Sequence, residues 1–99
     1  MLQQELIRQI VSKILENAKP TKIILFGSQL REDAASTSDI DLALVGIDED
    51  AVAKLRIILN EEVQTLKDID LVAFDNISNE NLKKRILTEG ELIYERSSK

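Results

Sequence analysis

Three aspartates and one glycine-serine pair carry most of the chemistry in this chain. Asp39 and Asp41 are separated only by Ile40, and Asp70 interrupts the run Ile69-Asp70-Leu71-Val72-Ala73-Phe74. On an extended strand, alternation with Ile40 and Leu42 sends the Asp39 and Asp41 carboxylates to one face, with Cα atoms ~6.6 Å apart. Two carboxylates so placed can share one or two divalent cations; without a cation they repel. Gly27-Ser28 directly follows the apolar run Lys22 to Phe26. Gly27 has no Cβ, so a phosphate can approach the backbone there and the chain can turn sharply. A helix starting near Ser28 would point unpaired N–H groups and partial positive charge at an anion. The Ser28 hydroxyl adds a donor for a phosphate oxygen.

What the sequence lacks narrows the chemistry further. Histidine and cysteine are both absent. That excludes disulfides, thiolate or imidazole zinc sites, a cysteine nucleophile and a histidine base. A metal ion here must be held by oxygen, which indicates magnesium or manganese. The formal charge is −5, and two phenylalanines and one tyrosine are the only aromatics. The basic residues are scattered, the densest group being Lys83-Lys84-Arg85. This composition argues against a nucleic-acid partner. No long apolar run suggests a membrane span, and the N-terminus lacks the pattern of a signal peptide, so the expected location is cytoplasmic.

The elements that must position these residues follow from periodicity. Leu2, Leu6, Ile10, Ile14 and Ala18 recur at helical spacing, and Lys19-Pro20 ends that helix. Lys22 to Phe26 and Ile40 to Val45 read as strands, with a short helix at Gln29 to Asp33 and a polar loop at Ala34 to Ser38 between them. Asp48, Glu49 and Asp50 suit the N-terminal end of a second long helix, Ala51 to Leu66, closed by Lys67-Asp68. Ile69 to Phe74 is a third strand with Asp70 on the face of Val72 and Phe74. Burying a charge in such a strand is expensive unless it is paired or bound to metal; the alternative is an exposed acid on an edge strand. Asn79 caps a last helix, Glu80 to Glu89, with Gly90 expected as a left-handed stop. Leu92-Ile93-Tyr94 is expected to pack back as a short apolar tail, and Glu95 to Lys99 to fray. The order implies one α/β domain over residues 1–99, a small mixed sheet with helices packed on it.

Gly27-Ser28, a spacer of ten residues from Gln29 to Ser38, and Asp39-Ile40-Asp41 together resemble the signature of the nucleotidyltransferase superfamily that includes DNA polymerase beta. The spacing, and the wording Ser38-Asp39-Ile40-Asp41-Leu42, is similar to the minimal nucleotidyltransferase (MNT) branch. Glu32 stands where that branch often has a small residue after the arginine. The resemblance implies a polymerase-beta-palm-like fold, ATP as nucleotide donor and Mg2+ or Mn2+ as cofactor. It implies nucleotide contacts from Gly27, Ser28 and Ser38, and a catalytic, metal-binding trio of Asp39, Asp41 and Asp70. In this scheme Asp70 also takes the acceptor's proton. Arg31 has two readings, a contact to the triphosphate or a solvent-facing side chain.

The resemblance covers nearly the whole chain and leaves no stretch for a substrate domain such as the extra helical domain of aminoglycoside nucleotidyltransferases. MNT proteins of this size act as antitoxins that transfer AMP to a tyrosine of a HEPN-domain toxin. The resemblance therefore implies a separately encoded HEPN-type partner. The competing reading is a non-catalytic module that binds a nucleotide or neutralises a partner by contact; such a module has no need of Asp70.

Overall fold

The computed structural model describes residues 3–26, 40–63 and 69–96. In it a four-stranded mixed sheet has helices on both faces, in the strand order β3-β2-β1-β4. The first helix, α1 (Gln3–Asn17), places Leu6, Ile10 and Ile14 in the core at intervals of four residues. The Asn17 side-chain amide donates to the Lys13 carbonyl at 2.8 Å, and the chain leaves the helix before the buried Pro20.

Strand β1 (Lys22–Phe26) follows and pairs antiparallel with β2 (Ile40–Val45). β2 then crosses over through α2 (Glu49–Glu62) to β3 (Ile69–Ala73), which pairs with β2 in parallel. A parallel pair requires such a crossover, and a helix supplies it. Helix α2 begins two residues earlier than its apolar stripe suggests. Asp48 is its N-cap, accepting from the Ala51 N–H at 2.9 Å, with Glu49 and Asp50 in the first turn. It ends at Glu62, because Val63 is extended (φ −104°, ψ 118°). The Arg56 guanidinium donates to the Leu71 carbonyl at 2.6 Å and ties α2 to the edge strand β3.

Alternation along the strands sorts their residues between two cores. Ile23, Leu25, Ile40, Leu42, Leu44, Leu71 and Ala73 face α1 and α2 and join the larger cluster with Ile10, Ile14, Val52, Leu55 and Leu59. Ile24 and Ala43 face the other way, with Val45, Val72 and Phe74 packed beside them, and meet Ile86 of the third helix, α3 (Glu80–Glu89). A short 3-10 turn, Phe74–Asn76, joins β3 to α3, so β3 is one residue shorter than its apolar run. The Asn79 side chain caps α3 as expected, accepting from the Asn81 and Leu82 N–H groups.

Two expectations near the C-terminus are corrected. Leu92-Ile93-Tyr94 pack back as expected, but as part of a fourth strand, β4 (Glu91–Glu95), antiparallel to β1. The Arg96 N–H donates to the Thr21 carbonyl at 2.8 Å, so order extends past Glu95. Propensity could not show this, because β4 needs the open edge of β1 as its partner.

Gly90 is the other correction. Its φ is −74°, outside the left-handed region. The glycine is required by space instead: a Cβ there would lie 2.3 Å from the Ile86 carbonyl oxygen and 2.6 Å from Ile24 Cγ2. Gly90→Ala is expected to lower unfolding stability by about 2 kcal/mol through overpacking, measured by urea denaturation. Among the described residues the left-handed glycine is Gly46 (φ 88°), which turns the chain after β2; its N–H donates to Asp75 Oδ2 at 2.8 Å. The short helix at 29–33, the loop at 34–38 and Lys67-Asp68 lie outside the described residues.

Candidate functional site

The sheet brings Asp41 and Asp70 side by side. Asp41 is the second residue of β2 and Asp70 the second of β3, and the parallel register makes them direct partners. Each carboxylate leaves its strand on the α3 face, opposite the side that Ile40 and Leu42, or Ile69 and Leu71, turn toward α1 and α2. Adjacent strands lie ~4.8 Å apart, so both carboxylates are within reach of one cation. Asp41 is half-buried and Asp70 exposed. Exposure removes the cost argument that singled out Asp70 in the sequence, since β3 is an edge strand and water reaches it. The neighbourhood of Asp41 takes its place as the reason to assign Asp70 to a site.

A third residue stands in the same row. Phe26, the last residue of β1, is the antiparallel partner of Asp41. The row across the sheet therefore runs Phe26, Asp41, Asp70. One step further in is Ile24, Ala43, Val72, all part of the α3-side core or packed on it. The acids thus stand at the rim of an apolar core, at the end of the sheet where β2 and β3 begin. Sequence reasoning passed over Phe26, because alternation within one strand says nothing about which residue lies across from it.

The chemistry of this pair suits a hard cation. Two unit negative charges ~5 Å apart repel by about 1 kcal/mol in water and about 3 kcal/mol at an effective dielectric of about 20. A divalent ion between them converts that repulsion into attraction, and carboxylate oxygens are the ligands magnesium and manganese prefer. Among the described residues no three acidic side chains converge on one point. Asp41 and Asp70 are the described members of the expected trio; Asp39 lies outside the described residues, as do Gly27, Ser28, Arg31 and Ser38. A depression lined by Gly46, Ile47, Asp48, Ala51, Asp75 and Asn76 lies at the other end of β2 and β3 and is separate from this site. No helix among the described residues is long and apolar enough to cross a membrane.

This architecture has known relatives. A Methanocaldococcus jannaschii protein with the provisional name of protein adenylyltransferase is 33% identical over 93 residues, 92% of each chain. A chain in the structure of the tri-AMPylated Shewanella oneidensis HEPN toxin in complex with its MNT antitoxin superposes with a TM-score of 0.73 at 25% identity, covering 96% of this chain and 74% of that one. A provisionally named nucleotidyltransferase from Sulfolobus solfataricus superposes with a TM-score of 0.59 at 25% identity, covering 93% of this chain and 79% of that one. The family model described as polymerase beta, nucleotidyltransferase, matches residues 8–99. With that match spanning all four strands and the paired acids, the chain belongs to the polymerase beta family of nucleotidyltransferases.

Proposed function

We propose that this nucleotidyltransferase transfers AMP from ATP, with Mg2+ or Mn2+, to a tyrosine hydroxyl of a HEPN-type toxin and so acts as its antitoxin. The observation that carries the reading is the register pairing of Asp41 with Asp70 on adjacent parallel strands. Two relatives support the acceptor: the M. jannaschii protein by its provisional name, and the S. oneidensis complex, in which a HEPN toxin carries AMP beside an MNT antitoxin. The reading takes residues 1–99 as a single domain.

The residues divide the work as follows. Gly27 and Ser28 cradle the triphosphate through backbone N–H groups and a hydroxyl, with Ser38 as a further nucleotide contact. Arg31 either joins the triphosphate or faces solvent. Asp39, Asp41 and Asp70 would hold divalent ions, which when bound would neutralise phosphate charge and lower the acceptor hydroxyl's pKa. The acceptor oxygen forms a bond to the α-phosphorus while the bond from that phosphorus to the bridging oxygen breaks, and pyrophosphate departs with the electron pair. Asp70 accepts the hydroxyl proton; its exposure on an edge strand leaves it open to a large acceptor.

Calorimetry tests the donor half directly. ATP is expected to bind well with magnesium and weakly without it, because phosphate oxygens complete the ligand set of an ion held by carboxylates alone. Equal affinity in the presence and absence of the ion would sink the metal assignment. A module acting by contact alone would neutralise its partner with no AMP added to it.

A further inference from the structure

We propose that Phe26 is a positioning residue for Asp41, its ring closing the β1 side of the carboxylate and turning it toward Asp70. This rests on the metal-binding reading of the acid pair. Asp41 has two cross-strand partners, and they differ in kind: Phe26 on β1 and Asp70 on β3. Directly opposed residues in an antiparallel pair have Cβ atoms ~4.5–5.5 Å apart, so the phenyl ring is within contact range of the Asp41 side chain. Phe26 is half-buried and packs against the cluster of Ile24, Ala43 and Ile86, which limits how far the ring can move. Ala43, the next residue inward from Asp41, is fully buried and contributes only a methyl group. The space around Asp41 is therefore bounded on the β1 side by the ring and inward by the core. Among the described residues, Asp70 stands on its β3 side. A carboxylate confined in this way loses fewer rotamers when it takes up a cation, and ligands held in place by their neighbours bind metal more tightly.

The test compares Mn2+ binding in the presence of ATP, followed by electron paramagnetic resonance, with thermal stability across four proteins. Phe26→Ala is expected to weaken Mn2+ binding about 10-fold and to lower kcat for AMP transfer by a similar factor. Phe26→Leu, which restores bulk, should recover most of both. Ile24→Ala removes a buried side chain from the same core one row away from the acids. It should lower Tm at least as much as Phe26→Ala and leave the Mn2+ affinity at the parent's value. If Phe26→Ala does not fold, Phe26→Val removes the ring and keeps a strand-forming side chain, and the same readouts apply. The proposal is overturned if Phe26→Ala, or Phe26→Val where the alanine variant does not fold, binds Mn2+ as the parent does. It is equally overturned if Ile24→Ala loses the ion to the same extent, because the loss would then be general loosening. A parent protein that binds no Mn2+ with ATP would instead overturn the metal-binding reading itself, and this inference with it.

Discussion

Asp41→Asn is expected to abolish AMP transfer, with a rate loss of at least about 10³-fold, equivalent to about 4 kcal/mol of transition-state stabilisation. Asp41 occupies the inner strand of the pair, between Phe26 and Asp70, and in the proposed scheme it would help hold the divalent ions. The substitution keeps size and shape but removes the charge that, in the proposed scheme, would hold those ions. The fold should tolerate it, because Asp41 lies at the rim of the α3-side core and the adjacent Ala43 and Leu42 make the buried contacts. Incubation of the variant and its HEPN-type partner with ATP and magnesium, followed by intact-mass spectrometry, should show no added AMP. Transfer at the parent's rate would remove Asp41 from the site. If the variant still neutralises the partner, contact rather than chemistry carries the antitoxin effect.

Asp70→Asn probes a different step. In the proposed scheme Asp70 is the proton acceptor, so it should matter for the attack of the hydroxyl more than for holding ATP. Loss of a general base typically costs about 10²–10⁴-fold in rate. The expected result is a kcat reduced within that range, with a smaller change in the affinity for ATP and magnesium measured by calorimetry. Asp70 is exposed on an edge strand, so the substitution should leave stability almost unchanged. A parental transfer rate would show Asp70 to be a solvated edge acid. An equal loss of nucleotide affinity and rate would show it to be only a metal ligand.

Much of the architecture could be read along the chain. The strands Lys22–Phe26 and Ile40–Val45 and the helix Glu80–Glu89 have the bounds that alternation, helical periodicity and the Asn79 cap indicate. These features are local, since the period of an apolar stripe and a capping side chain act within a few residues. The likeness of Gly27-Ser28 and Asp39-Ile40-Asp41 to the family signature is local too, and the family match over residues 8–99 agrees with it.

Contacts between distant residues settled the rest. Glu91–Glu95 became a strand because β1 offered an unpaired edge, and Gly90 is needed for a close approach to Ile24 and Ile86 that no turn statistic anticipates. Asp70 was singled out in the sequence for the cost of burying it, yet it is exposed. Its place in the candidate site comes from the parallel register that seats it beside Asp41, and the register on the other side brings Phe26 into the same row. Alternation along one strand sets only which face a side chain takes. The pairing of strands separated by a loop or a helix sets which side chains meet there, and that pairing depends on burying both faces of the sheet at once.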